Sequence, residues 1–332
     1  MFITSLKNAS LAIRDHLWTA WDIAKASSWH SAPQLVDLLA QGRRQGFNES
    51  PDSLYSLGFI NIQQGSEWKI TIPDIDAFYT VVSLHSKNNQ SSFEWLSDKV
   101  KNERTITLSD NVSSQQGINT TDFKGLCQLM VRQYFTYPVD SVNLPLPTIT
   151  KTPEIGHKKR IYYFPASVIA GMKFLLWRLK PLIAVKFLQY RLGNKLPRNT
   201  FLSFDDIVEL WKGGNEMVTR MGVNKFRYLF CYYDIPENHY MKINYNSKGS
   251  HYFAFALNHT WVQRIKHDQH TTHANSFQLQ NTNDQFDIFV TLQPESHDNN
   301  LCTLGNTKGI IGFREIFPGS NPEKPECLVT SK

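Results

Sequence analysis

With 332 residues, 41% hydrophobic and 13% aromatic, the chain carries material for two packed cores, which excludes disorder as its main state. Its 35 Lys and Arg against 29 Asp and Glu leave a net +6, spread along the sequence rather than run into blocks; this favours mildly anionic partners and offers no footprint for nucleic acid. Cys127, Cys231, Cys302 and Cys327 lie far apart without metal spacing, so free thiols and a cytoplasmic location are expected. The first residues, MFITSLKNASLAIRDHLW, lack the unbroken apolar core of a signal peptide.

From Leu6 to Gln45 apolar residues recur at helical spacing. Two or three short helices are predicted there, with Leu11, Leu17, Trp18, Trp21, Leu35, Leu38 and Leu39 as the buried stripe. After Gly46 the texture changes to short alternating runs bounded by turn residues: Trp68, Ile70 and Ile72; Phe78, Thr80, Val82 and Leu84; Cys127, Leu129, Val131 and Phe135. These are predicted strands. The block 165–194, containing VIAGMKFLLWRLKPLIAVKFLQYRL, is basic and apolar, and a second helical stretch holds Phe204, Ile207, Val208, Leu210 and Trp211. Strand texture resumes near Met241, in Tyr252 to Leu257, Phe286 to Leu292 and Gly309 to Phe317.

The two strand-rich parts echo each other. PDSLYSLGFINIQQGS, with Pro51, Asp52 and Tyr55, returns as PENHYMKINYNSKGS, with Pro236, Glu237 and Tyr240. GLCQLMVRQYF closes the first part with Arg132, Gln133 and Phe135, and GIIGFREIF closes the second with Arg314, Glu315 and Phe317. An internal duplication of antiparallel units follows, since βαβ alternation is lacking. The expected fold is mainly β with helices: two β-sandwich or jelly-roll-like units, 47–150 and 231–332, an N-terminal helical segment 1–46, and a linker with an amphipathic helical insert, 151–230.

The order of NESPDSLYSLGFINI, CQLMVRQYF, HYFAFALNHTW, DQFDIFVTLQPES and GIIGFREIFPG resembles the bacterial domain of unknown function 1214 family and its companion, domain of unknown function 1254. That resemblance covers most of the chain outside the helical insert and implies jelly-roll-like β units with helices; it brings no activity. Where that family has an Asn-Trp-Leu turn, this chain has Asn299, Asn300, Leu301 and Cys302, which implies a different pocket and ligand.

His251, His259, His267, His270 and His273 invite a metal reading. They alternate with aromatics on a strand and then scatter through a polar stretch, without carboxylates or thiols at supporting spacing, so neither metal nor cofactor is expected. Arg132 and Arg314 stand at corresponding places in apolar strands; each could clamp an anion, but pairing with the carboxylate that opens its own unit, Asp52 and Glu237 respectively, is the favoured expectation. Asn258, Trp261 and Arg264 lie at a strand end where an amide, a broad aromatic surface and a cation could grip a small molecule, with Tyr55 and Tyr240 lining the same cleft.

No GxGxxG follows a strand, and GxxxxGK[ST], GxSxG and HExxH are absent, which argues against dinucleotide, P-loop, hydrolase and zincin chemistry. The block 165–194 carries Lys173, Arg178, Lys180 and Lys186 beside Pro181, too much charge for an ordinary bilayer crossing. The expected function is binding or conversion of a small hydrophobic or amphipathic molecule, with the insert as a cover. The alternative is a non-catalytic assembly or membrane-surface protein in which the insert contacts a membrane peripherally, or another copy of the chain in a homo-oligomer.

Overall fold

The computed structural model describes residues 2–26, 34–38, 51–86, 89–96, 104–113, 116–139, 142–152, 168–176, 196–211, 226–260, 264–265, 271–318 and 322–332. It divides into an N-terminal unit, Ile13–Arg44 with Pro51–Arg178, and a C-terminal unit, Leu179–Lys332 with Met1–Ala12 and Gln45–Ser50. The helices are α1 (Phe2–Ala26), α2 (residues 168–176) and α3 (Phe204–Trp211).

The N-terminal unit holds β1 (Val36–Asp37), β2 (Ser53–Ile62), β3 (Glu67–Ile72), β4 (Tyr79–His85), β5 (Gln90–Leu96), β6 (Arg104–Ser109), β7 (Gly117–Asn119), β8 (Gly125–Tyr134) and β9 (Thr148–Thr152). They form a five-stranded sheet, β1-β2-β8-β4-β5, facing a four-stranded one, β7-β6-β3-β9. The C-terminal unit holds β10 (Phe201–Ser203), β11 (Phe226–Asp234), β12 (His239–Asn246), β13 (Tyr252–Asn258), β14 (His273–Asn275), β15 (Gln285–Thr291), β16 (Asn300–Cys302), β17 (Lys308–Ile316) and β18 (Glu326–Ser331). Its sheets, β10-β11-β17-β13-β14 and β16-β15-β12-β18, repeat the first topology strand for strand. The fold is therefore a duplicated jelly-roll β-sandwich with helices.

The register of the duplication differs from the sequence echo. Arg132 faces Tyr55 and Val81, and Arg314 faces Tyr228 and Ala254. One sequence spacing relates Tyr55 to Tyr228, Ile70 to Ile243 and Tyr79 to Tyr252. PDSLYSLGFINI is thus the counterpart of the strand FRYLFCYYD, whereas PENHYMKINYN, its look-alike, is one strand further along. The closing strands β8 and β17 do correspond. β10 and the first part of β11 also lie within the span read as insert, so strand pairing in the C-terminal unit begins before residue 231.

Each sandwich interior is filled by its own side chains. In the N-terminal unit Trp68, Ile70, Leu108, Cys127, Leu129 and Val131 meet between the sheets; in the C-terminal unit Tyr233, Tyr245, Phe253, Phe255, Phe286 and Phe313 do so. Alternation puts every second residue there. Gly309 is required by this packing, because a Cβ would lie 2.4 Å from Tyr233 Oη and 2.5 Å from the Asn258 carbonyl.

α1 reverses the predicted stripe. Asp15, His16, Thr19, Ala20 and Ile23 are buried, whereas Leu17, Trp18 and Trp21 are 54%, 58% and 56% exposed. Ala20 and Ile23 pack with Leu57, Phe59, Met130, Ala170 and Phe174, so α1 and α2 both rest on the outer face of the N-terminal five-stranded sheet. Leu35 and Leu38 are buried as expected, Leu39 lies outside the described residues, and β1 replaces a predicted helix.

In the C-terminal unit one carboxylate is fully enclosed. Glu315 accepts from Arg227 Nε at 2.7 Å and from the Tyr245 hydroxyl, and Arg227 also donates to the carbonyls of Pro322 and Glu323. The corresponding residues of the other unit, by register, are Gln133, Leu54 and Ile72. Replacing Arg227 by Leu strands a buried charge and should cost about 3–5 kcal/mol; Arg227→Leu combined with Glu315→Gln, copying the sister unit, should recover most of it. Urea denaturation of the two single variants and the double variant measures the coupling.

Candidate functional site

The buried arginines Arg132 and Arg314, with the tyrosines and amides around them, lie on the outer faces of the five-stranded sheets. Cross-strand partners share a face. In the N-terminal unit one row runs Tyr55, Arg132, Val81, Glu94, flanked by a row with Tyr134 and Tyr79 and, further along, by Gln128 and His85. Arg132 is 5% exposed. Tyr79 donates to Glu94 Oε2 at 2.8 Å, and Ser92 donates to Oε1 at 3.1 Å, which orients that carboxylate. The Tyr134 ring stacks on Tyr79 at 5.7 Å and meets Tyr55 edge-on at 6.5 Å.

Burial sets the electrostatics of this face. It raises the Tyr79 phenol, with the Glu94 carboxylate adding to the rise, so Tyr79 is a hydrogen-bond donor rather than a phenolate. It pushes His85 down to about 4, with the Arg132 guanidinium adding to the fall, so His85 is neutral at physiological pH. The arrangement offers a cation, a neutral imidazole and a fixed carboxylate beside an apolar strip of Leu57, Phe59 and Met130.

The C-terminal unit carries a diverged copy. Its row is Tyr228, Arg314, Ala254, Asn275; the next is Phe230, Gly312, Ala256, His273; and Asn258 faces Ile310 and bridges to Arg264. Arg264, Arg314, Asn258, Asn275 and His273 are all buried. The Asn258 side-chain amide donates to the Ala256 carbonyl at 3.0 Å, and the Arg264 segment is held by Ile265 N to Leu257 O at 2.9 Å. The smaller Gly312 and Ala254 stand where the first copy has Met130 and Val81.

Of the residues singled out from the sequence, Tyr55 and Arg132 are neighbours on one sheet, and Asn258, Arg264 and Arg314 share a face of the other. Tyr240 joins neither: it stands on the outer side of the four-stranded sheet, 5.9 Å from the Phe289 ring and 5.8 Å from His297. Trp261, His267 and His270 lie outside the described residues. Glu237 is exposed in the turn before β12 and makes no ion pair with buried Arg314, so the expected pairing fails there. Asp52 is buried and accepts from Ser53 Oγ at 3.3 Å. The recurrence that motivated both pairs came from the misregistered echo. His251 is exposed against Phe317, and burial lowers His259. Burial raises the Cys127 thiol to about 11, unsuited to a nucleophile.

Sequence reasoning missed Tyr79, His85, Glu94 and Tyr134. Their only signal was parity, because each occupies the strand positions that alternate with the interior residues.

A depressed His85 makes the folded chain bind protons less readily than the unfolded one. That contribution to stability is complete above about pH 6.5 and is lost as pH falls toward 4. In an NMR titration Arg132→Gln should move the His85 midpoint upward while leaving it below 6.5, since burial is the larger cause.

No family model matches the chain, and no curated protein matches its sequence. Among solved structures, an uncharacterized protein from Burkholderia cenocepacia superposes with TM-score 0.71 at 14% identity, covering 95% of this chain and 87% of that one. A Vibrio parahaemolyticus protein gives TM-score 0.47 at 11% identity, covering 98% and 100% of the respective chains. The vicilin from Solanum melongena gives 0.20 at 10%, covering 92% and 83%. Only the first superposes well enough to bear on the architecture, and what it shares with this chain is the fold.

Proposed function

We propose that the chain binds a small amphipathic molecule carrying an anionic group, on the outer face of the N-terminal five-stranded sheet. Arg132 carries this reading. A guanidinium on the central β8, hemmed in by tyrosines and bordering an apolar strip, suits a carboxylate or phosphate head in a two-pronged grip with an alkyl or aromatic body alongside. Neutral His85 supplies a polar contact without a second charge. α2, which belongs to the expected insert, lies over the apolar strip through Ala170 and Phe174, as a cover would.

A cytoplasmic setting belongs to the same proposal and is supported by four cysteines present as thiols. Kinship with the domain of unknown function 1214 and 1254 families is also proposed, supported by the order of the quoted motifs along a jelly-roll pair. The second reading, a membrane-surface protein, has its own observation in the exposed faces of α1 and α2.

Octanoate should raise the melting temperature of the wild type in a concentration-dependent way, and octanol, with the same chain and no charge, should not. Arg132→Gln should weaken the apparent octanoate affinity by about 10–100-fold, the range for losing hydrogen bonds to a charged group. An octanoate effect of undiminished size in that variant would remove the anion site from this face.

A further inference from the structure

We infer that α1 and α2 together form a face that lies on an anionic lipid surface. This inference is independent of Arg132 and starts from the reversed burial of α1. Ile13, Leu17, Trp18 and Trp21 are 52–58% exposed at helical spacing, while the polar Asp15, His16 and Thr19 point inward. A helix that buries polar groups and presents tryptophan to solvent has its apolar partner outside its own unit.

α2 presents a matching face. Val168, Ile169, Met172 and Leu176 are exposed, while Ala170 and Phe174 hold the helix to the sheet. The helices are close neighbours, because a Cβ on Gly171 would lie 3.0 Å from the Ala20 carbonyl and 3.4 Å from Ala24 Cβ. Their exposed sides therefore adjoin and make one patch.

Charge decides between occupants. The exposed ionic residues among Ile13–Ala26 and 168–176 are Arg14, Lys25 and Lys173, all cations. Asp15 is buried against Arg14 at 2.8 Å, and Asp22 is half-buried. Lys25 Nζ sits 5.2 Å from the Trp21 ring centroid, a pairing of cation and amphipathic ring suited to the boundary between headgroups and acyl chains. Among the described residues the exposed ionic side chains beside these aliphatic and tryptophan groups are cations, with Asp22 half-buried, which matches lipid whose headgroups carry negative charge. A second copy of the same patch would instead bring like charges together. No helix among the described residues is long and apolar enough to cross a membrane, so the contact is one of lying on the surface.

Flotation of the full chain with phosphatidylcholine vesicles, with and without phosphatidylglycerol, tests this. Binding is expected to the anionic vesicles, weaker to the neutral ones, and reduced by added salt. Trp18→Ser with Trp21→Ser should lower it by ~10-fold or more, as should Met172→Ser with Leu176→Ser. These positions are exposed, so the variants should keep the wild-type melting temperature. Leu328→Ser, equally exposed on β18 of the other unit, should leave binding unchanged. Failure of the wild type to float with anionic vesicles overturns the inference, as does wild-type binding by both double variants. A dimer in vesicle-free solution that the same substitutions dissociate would reassign the face to a second copy.

Discussion

Closure of each sandwich on its own side chains is the constraint from which the rest follows. Trp68 is wholly enclosed in one unit and Tyr233, Tyr245 and Phe313 in the other, so large side chains occupy the space between the sheets. The outward faces of the five-stranded sheets carry buried arginines, amides and tyrosines. β2 shows the result in its burial: nine of its ten residues are buried, since helices cover one side of it and the opposing sheet the other.

The two copies have spent their shared topology differently. Where the C-terminal unit encloses Glu315 between Arg227 and Tyr245, its sister has the uncharged set Gln133, Leu54 and Ile72. An enclosed ion pair gives little net stability over apolar packing but is intolerant of losing one partner. Here it also ties the segment at Pro322 and Glu323 to β11. On the outer faces the contrast runs the other way. The N-terminal copy keeps a carboxylate, Glu94, and has Val81 beside its arginine, whereas the C-terminal copy has Asn275 and the smaller Ala254 beside Arg314.

The helices show how a correct periodicity can be assigned the wrong side. The apolar spacing of α1 is genuine, but a stripe marks a face that avoids water without naming what meets it. In this chain Ala20 and Ile23 sit on the sheet, next to the close approach at Gly171, and the larger residues face away. Small side chains suit the narrow helix–helix contact; tryptophans suit a broad one.

The sequence by itself determined the class of the fold, the strands around Trp68, Val82, Leu129, Phe255 and Phe313, the duplication through β8 and β17, and the two arginines at matching places in those strands. Alternation and turn residues are local, so they survive without coordinates. Tertiary structure alone decided the register of the repeat, the partner of each charge and the side on which α1 is buried. A β-strand finds its neighbours through hydrogen bonds to segments far along the chain, and one strand of offset leaves the local pattern intact while changing every partner. That is why PENHYMKINYN could pass for PDSLYSLGFINI, why Glu237 was matched to Arg314 across a distance the fold does not close, and why Tyr79, His85 and Glu94 came into view beside Arg132 only once β4 and β5 were laid against β8.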